Sequence, residues 1–334
     1  MTETVLVTGG SGFVASWCIA ELLQRGYAVR TTLRSGAKEA AVRKAVGSIP
    51  TDGRLTFAIA DLTKDAGWDA ALAGCDYVLH VASPLSGAPT KDRDAFVAPA
   101  REGTLRVLRA ATTAGVKRVV MTSAAAAARP PLAANRVSDE TIWADPDDPQ
   151  FDAYRRSKIL AERAAWDFIA ANGRTTQLTT ILPGAVFGPV LARENLGSVQ
   201  IISRMLEGRP SAIPRLGFWV VDVRDLADLH IRAMTSSDAG GQRFLAAGEF
   251  LWMEEIARIL RAKLGARASK VPTRRLPDAL FRFVAIFLPQ LKALAPLIGQ
   301  RYELSAVKAS RVLGFAPRAA DTTLYDCALT LVSS

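Results

Sequence analysis

A glycine-rich turn between a short apolar run and a helical pattern restricts the fold of this chain more than any other feature. Residues 4–8 read Thr-Val-Leu-Val-Thr, a β-branched run typical of a buried parallel strand. Gly9 allows a sharp turn, Gly12 lets backbone N–H groups approach a pyrophosphate, and Ala15 lets the helix pack closely on the strand. We therefore predict an anion site at the N-terminus of a helix over 13–24.

Strands and helices alternate along the first half of the chain. Five further apolar runs have the composition of strands: 28–33, 55–60, 75–81, 116–123 and 178–182. The segments between them have helical periodicity. This alternation predicts an α/β fold of the Rossmann type, a doubly wound parallel sheet with right-handed crossovers.

The charge of the 334-residue chain is strongly basic, with 42 Lys and Arg against 32 Asp and Glu. These cations are spread along the sequence, and the densest clusters are only pairs, at 155–156 and 274–275. No aromatic-interleaved basic stripe and no helix-turn-helix, zinc or RNA-binding signature accompanies them. We expect a solvated basic surface with a site for a phosphorylated cofactor, and no nucleic-acid partner.

The cysteines, histidines and apolar segments of the chain argue against a metal-binding, disulfide-rich, membrane or secreted protein. The three cysteines are far apart and suggest neither a metal site nor a disulfide framework, and two histidines are too few for a His-rich metal site. The apolar stretch 283–288 is too short to span a membrane. The N-terminus runs directly into the first strand, so we expect no signal peptide and a cytoplasmic protein.

The end of the second strand bears on the choice of cofactor. NAD-preferring sites usually place an acidic residue there to bind the ribose hydroxyls. This chain has Arg34 instead, with Lys38 and Arg43 nearby, and a guanidinium suits a 2′-phosphate in charge and shape. The pattern predicts NADP(H). The alternative is that Arg34 is an exposed arginine after a strand with no role in cofactor binding. Asp61 and Leu62 follow the third strand, where they are placed to contact the adenine.

Tyr154 and Lys158 form the chemical centre that the sequence predicts. They are four residues apart at the start of a helical pattern, so they share one face. A neighbouring ammonium favours the phenolate, and we expect it to lower the pKa of Tyr154. Tyr154 would then donate a proton to a carbonyl oxygen as hydride arrives, or remove one from an alcohol. Such a pair is common by chance. Its combination with the glycine turn upstream is what indicates a catalytic pair.

The motifs together resemble the extended short-chain dehydrogenases/reductases. Within that family the chain is similar to the group of dihydroflavonol reductases, cinnamoyl-CoA reductases and microbial aldehyde/ketone reductases. The matching stretches are 5–17, 25–34, 61–62, 80–84, 103–104, 117–123, 154–158 and 222–225. The resemblance implies NADPH-dependent, reversible reduction of an aldehyde or ketone. It covers the cofactor-binding part, whereas the C-terminal part offers little to match.

The resemblance also assigns residues to the cofactor. It implies that 81–83 line the nicotinamide ribose, that Pro183 and Gly184 cover the nicotinamide, and that Lys158 additionally bonds the ribose hydroxyls. The complete predicted cofactor set is Gly9, Gly12, Phe13, Val14, Arg34, Lys38, Asp61, Leu62, Val81, Ala82, Ser83, Thr122, Tyr154, Lys158, Pro183, Gly184 and Val186. His80 is expected to be a strand residue of the motif, and His230 a core or surface residue.

One departure from the family pattern concerns the catalytic serine. The family places a serine hydroxyl beside the tyrosine, usually the second residue of a Ser-Ser pair after a threonine. Here that position is Ala124, followed by four more alanines, so Ser123 is the only candidate and the role is otherwise vacant. The alanines either are structural or leave room for a bulky substrate.

The domain organisation is predicted from the change of pattern after 184. We expect strands at 219–223 and 243–246, with 216–247 returning to the main sheet. The predicted domains are an NADP-binding Rossmann domain and a smaller, mostly helical substrate-binding lobe: 1–184 plus 216–247, and 185–215 plus 248–334. Substrate contacts are expected from 84–88, 124–134 and 185–190, and from the C-terminal lobe.

Two other functions remain open on this fold. The first is a nucleotide-sugar epimerase or dehydratase that uses NAD(P). The second is a non-catalytic NADP-binding sensor for a partner protein, although such proteins generally lack the tyrosine. The sequence names neither the carbonyl substrate nor its stereochemistry, and it leaves monomer and homodimer open.

Overall fold

The computed structural model describes residues 2–47, 49–83, 92–172, 175–194, 196–292 and 294–332. Its strands are β1 (Thr4–Val7), β2 (Ala28–Leu33), β3 (Leu55–Ile59), β4 (Tyr77–His80), β5 (Arg118–Thr122), β6 (Gln177–Pro183), β7 (Ala185–Phe187), β8 (Gly217–Asp222), β9 (Gln242–Ala246) and β10 (Phe250–Trp252). Its α-helices are α1 (Phe13–Gln24), α2 (Glu39–Val46), α3 (Trp68–Leu72), α4 (Val97–Thr113), α5 (Ala153–Asn172), α6 (Val199–Leu206), α7 (Val223–Thr235), α8 (Met253–Leu264), α9 (Asp278–Phe287), α10 (Pro289–Lys292), α11 (Val307–Leu313) and α12 (Ala320–Val332).

The large sheet is parallel and doubly wound, as the sequence predicts. Its strand order is β3-β2-β1-β4-β5-β6-β9. Every pair of neighbouring strands in it is parallel. Strand order reverses between β1 and β4, and ligands of such sheets bind outside the carboxyl ends of the strands at that point.

Both faces of the large sheet are covered by helices, which explains the continuous apolar runs. On β1, Val5 and Val7 belong to the cluster that includes residues of α1, α2, α7 and α11. Leu6, which points to the other face, packs with residues of α3, α4 and α5. Strands buried on both faces read as unbroken β-branched segments rather than alternating ones.

A second, three-stranded sheet has the order β10-β8-β7. Strand β8 pairs in parallel with β7 and antiparallel with β10. A hydrophobic cluster containing residues of α6, α8, α9 and α12 packs around this small sheet. The expectation that all of 216–247 returns to the main sheet is therefore wrong for β8, and only β9 of that segment joins the large sheet.

Candidate active site

A cavity of about 490 Å³ lies at the carboxyl ends of the strands of the large sheet. All of the predicted cofactor residues and the three predicted catalytic residues line it. From the other side, Leu196, Ile201, Trp219 and Tyr302 contribute to the wall. The predicted site residues therefore converge on one place, although they are spread over more than 170 positions of the sequence.

The glycine turn has the geometry of a close approach between backbones. Gly9 has a φ of +71°, which other residues rarely adopt, and a Cβ there would lie 2.9 Å from the Cβ of Ala82. Gly12 is the N-cap of α1, and the first N–H groups of that helix have no intrahelical partner. These N–H groups and the helix dipole suit the pyrophosphate of a dinucleotide.

The part of the cavity predicted to bind the 2′-phosphate contains an acidic residue that the sequence did not predict. Lys38 Nζ lies 2.6 Å from Glu194 Oε2, and this ion pair lowers the pKa of the Glu194 carboxyl. Arg34 is exposed and, within the described ranges, has no ion-pair partner. Glu194 reaches the site through a bridge between its backbone and that of Gly12. Gly12 and Glu194 are far apart in the sequence, and no local pattern around 194 predicts their pairing.

Tyr154 and Lys158 lie on the first turns of α5, where a cap fixes the helix. Asp152 accepts the backbone N–H of Arg155 at 2.8 Å, and its other oxygen lies 2.6 Å from Arg155 Nη1. Asp and Asn are preferred at such positions because they satisfy N–H groups that the helix leaves unpaired. Lys158 is buried and donates to the backbone oxygen of Thr122 at 2.9 Å, which ties it to the end of β5.

Burial controls the protonation of both groups. It raises the pKa of Tyr154 to about 12 and lowers the pKa of Lys158 to about 8. The expected lowering of the pKa of Tyr154 by Lys158 is therefore wrong for this structure, because the desolvation of the phenol outweighs the opposing effect of the Arg155 cation. At neutral pH Tyr154 is a protonated phenol and Lys158 is an ammonium.

The hydroxyl of Ser123 is hydrogen-bonded to a buried carboxylate. Its Oγ donates to Glu162 Oε2 at 2.5 Å, and Ser123 is buried. Glu162 is fully buried and also accepts hydrogen bonds from Thr180 Oγ1 at 2.7 Å and Arg243 Nε at 2.9 Å. Glu162 lies four residues after Lys158, just as Lys158 lies four residues after Tyr154, so all three are on one face of α5. This spacing could have identified Glu162 from the sequence.

The alanine run has two parts in the structure. Ala124 is half-buried and lines the cavity with the next two alanines, while Ala125–Ala128 form a buried 3-10 turn. This turn packs with Ile159 of α5 and Leu182 of β6. Of the expected substrate segments, 124–134 and 185–190 contribute residues to the cavity, and 84–88 lies outside the described residues.

The two histidines are buried within the fold. His80 Nδ1 lies 3.0 Å from Thr8 Oγ1, and His230 Nε2 lies 2.7 Å from Thr122 Oγ1. Burial lowers the pKa of His80 to about 3 and that of His230 to about 4. Neither side chain contributes to the lining of the large cavity.

Metal sites and membrane spans are both absent from the described residues. Among them, no group of three or more His, Cys, Asp or Glu side chains is arranged to hold a metal ion. No helix among the same residues is long and apolar enough to cross a membrane.

Comparison with known proteins identifies the family. The NAD dependent epimerase/dehydratase family matches residues 5–247. The ketoreductase azaE of Aspergillus niger is 35% identical over 301 residues, which cover 84% of this chain and 88% of that protein. The cinnamoyl-CoA reductase 1 of Oryza sativa is 37% identical over 265 residues, 78% of this chain and 75% of the relative.

Solved structures agree with this family over the whole length of the chain. Gre2 of Candida albicans, solved with NADPH, superposes with a TM-score of 0.83 at 28% identity and covers 99% of both chains. The yeast methylglyoxal/isovaleraldehyde reductase Gre2, also complexed with NADPH, has a TM-score of 0.82 at 26% identity, with 99% of this chain and 98% of that one covered. The predicted Rossmann-type fold is confirmed, and the predicted NADP(H) agrees with both neighbours. The chain belongs to the NAD dependent epimerase/dehydratase family and is an oxidoreductase of the extended short-chain dehydrogenase/reductase type.

Proposed function

We propose that the protein reduces an aldehyde or ketone to the alcohol, reversibly, with NADPH as hydride donor. The observation that carries the proposal is the convergence of Tyr154, Lys158 and the glycine turn on one cavity. The reductases among its relatives and the NADPH held by its solved neighbours support the same chemistry.

The described residues fit NADPH at its phosphate groups. We assign the pyrophosphate to the N-terminus of α1 and the 2′-phosphate mainly to Arg34. Lys38 is already paired with Glu194, so it has less charge to offer a phosphate than Arg34, which is exposed and unpaired within the described ranges. A guanidinium binds a phosphate through two parallel hydrogen bonds, which adds geometric selectivity to the charge.

The nicotinamide end is assigned to residues at the ends of β4 and β6 and to Lys158 of α5. We assign Val81–Ser83, which follow β4, to the ribose, Lys158 to the ribose hydroxyls, and Pro183 and Gly184 to the face of the nicotinamide. All of these residues line the cavity. We propose that the Rossmann domain, 1–184 plus 216–247, binds the cofactor. The second lobe, 185–215 plus 248–334, would enclose the substrate, and its Tyr302 lines the cavity.

The proposed mechanism divides the work between cofactor and protein. When bound, the nicotinamide supplies the hydride for the carbonyl carbon. Tyr154, with a pKa of about 12, holds at neutral pH the proton that the carbonyl oxygen needs. Lys158, held by the backbone oxygen of Thr122, is charged below a pH of about 8. Its charge stabilises the phenolate that remains on Tyr154 after proton transfer.

We also propose that no serine holds the substrate oxygen. The proton of Ser123 is donated to Glu162, and Ala124 offers no hydroxyl at the family position. Tyr154 would then be the principal hydrogen-bond donor to the carbonyl oxygen.

The proposal is tested by following NADPH consumption by the purified protein with a panel of aldehydes and ketones. We expect NADPH loss matched by alcohol formation, with NADPH preferred to NADH. Arg34→Ala should lose that preference, because a charge-assisted contact contributes about 1.5–3 kcal/mol. Arg275→Ala, which removes an exposed arginine elsewhere, should keep it. Absence of turnover with every carbonyl compound would contradict the proposed function.

A further inference from the structure

Arg129 is a buried cation whose side chain lacks the partners that buried arginines normally have. It follows the alanine turn, its side chain is only 5% exposed, and it lines the cavity. Its Nε and Nη1 atoms are buried and make no hydrogen bond with the part of the chain that the structure describes. Most buried polar groups in proteins are hydrogen-bonded, and an unpaired one is destabilising, more so when it is charged.

The surroundings of Arg129 provide a hydrogen bond with the Tyr302 side chain and the attraction of the more distant Asp152 carboxylate, but no ion pair among the described residues. Its guanidinium carbon lies 3.8 Å from the centroid of the Tyr302 ring, and Tyr302 is held by Trp219, whose Nε1 donates to the Tyr302 backbone oxygen at 2.8 Å. Within the described ranges, no carboxylate lies within ion-pair distance of Arg129. Asp152, the acid that also lines this part of the cavity, is already paired with Arg155.

The undescribed positions do not supply a counterion side chain either. The residues at 1, 48, 84–91, 173–174, 195, 293 and 333–334 include no Asp and no Glu. Burial lowers the pKa of Arg129, yet a guanidinium remains protonated in proteins. Arg129 is therefore a positive charge in the wall of the cavity for which the chain provides no acid within ion-pair distance.

A second buried arginine, Arg243, is paired with a carboxylate and fully hydrogen-bonded, in contrast to Arg129. Arg243 is 6% exposed, nearly the same as Arg129. It pairs with Glu162 and donates to the backbone oxygens of Ala127, Glu140 and Ile142. Buried charges are retained at low cost only when they are paired in this way. The contrast indicates that the partner of Arg129 arrives with a ligand.

We propose that Arg129 binds a carboxylate of the substrate, so that the preferred substrates are aldehydes or ketones that also carry a carboxylate group. The inference rests on the proposed reductase function and names its substrate class. A carboxylate would supply the acceptor oxygens and the negative charge that the guanidinium lacks. The face of Tyr302 would hold the guanidinium in place while the reacting carbonyl lies at Tyr154, in the same cavity.

The test compares each acid with its neutral methyl ester, so that the reacting carbonyl stays the same. The substrates are 3- and 4-formylbenzoate and their methyl esters, with NADPH saturating. We expect kcat/KM to favour an acid over its ester, and Arg129→Met to reduce that ratio by about 10- to 100-fold. Arg129→Lys should keep part of the preference. Arg275→Met, which removes the same charge from an exposed ion pair, should leave the ratio unchanged.

Two further measurements separate a binding role from a structural one. Arg129→Met removes an unpaired buried charge, so its melting temperature should be equal to or above that of the wild type. Benzoate, titrated calorimetrically into the complex with NADP⁺, should bind the wild type and lose most of its affinity in Arg129→Met.

The outcomes distinguish the two proposals. An acid-to-ester ratio that is near one in the wild type, or unchanged in Arg129→Met, overturns the carboxylate site and leaves the reductase intact. If none of the four compounds nor any other carbonyl compound is reduced, the proposed function fails. Benzoate binding that is lost in Arg129→Met would then still support the anion site, and binding unaffected by the substitution would overturn it.

Discussion

At the scale of single residues, the positions of Ser123 and Ala124 decide how the substrate oxygen is held. Ser123 donates to Glu162, so Ser123→Ala should change kcat by no more than about threefold, far below the 10²–10³ lost with an oxyanion donor. Ala124→Ser should raise kcat on a small aldehyde, because it restores a hydroxyl at the family position. Steady-state kinetics of both variants test this. A large loss in Ser123→Ala and no gain in Ala124→Ser, with melting temperatures preserved, would contradict it.

Residue types at the site were predictable, whereas their protonation and partners were not. The glycine turn, Arg34, Tyr154 and Lys158 are local patterns that can be read directly, and all of them line the cavity. The pairing of Lys38 with Glu194 depends on the tertiary fold, since 156 positions separate the two. The raised pKa of Tyr154 depends on burial, which a spacing of four residues does not reveal.

At the scale of elements, α5 connects the reacting groups to the sheet through a buried network. Glu162 accepts hydrogen bonds from Ser123, Thr180 and Arg243, which belong to three different segments. Glu162→Ala should reduce the free energy of unfolding by about 3–5 kcal/mol, because it leaves Arg243 buried without its carboxylate. Denaturant unfolding measures the change.

The double variant Glu162→Met/Arg243→Met is the control for that interaction. Removing both charges leaves neither ion unpaired, so its loss should be clearly smaller than the sum of the two single losses. Additive losses would show that the pair is not coupled.

The elements that the sequence predicts best are those buried on both faces of the large sheet. Strands β1, β4 and β5 are short, mainly apolar runs that are buried along most of their length, and their parallel pairing follows from the alternation of strands and helices. The sheet to which β8 belongs could not be predicted in this way. Its partners β7 and β10 have three residues each, too few to carry a recognisable pattern, and they are brought to β8 by the tertiary fold.

At the scale of the whole molecule, the buried histidines make stability depend on pH. The pKa of His80 is lowered to about 3 and that of His230 to about 4, so both are mainly neutral in the folded state from pH 6.5 down to just above pH 4, whereas the unfolded chain binds protons in this range. Stability should therefore fall as pH drops from about 6.5 towards 4, by about 3 kcal/mol from His230 alone at the end of this range.

Unfolding by urea at pH 7 and pH 4.5 measures this dependence. His230→Gln keeps a polar group opposite Thr122 but cannot gain a proton in this range, so its loss of stability between the two pH values should be smaller. An equal loss in the variant and the wild type would assign the acid sensitivity to other groups.

The variant Tyr154→Phe shows whether Tyr154 is the proton donor in a nicotinamide-dependent reduction. NADPH affinity, measured by fluorescence titration, should stay within about twofold, while kcat should fall by about 10²- to 10⁴-fold because only the proton donor is removed. Tyr325→Phe, the same change on α12 outside the cavity lining, should retain both. Near-normal turnover by Tyr154→Phe would contradict the mechanism.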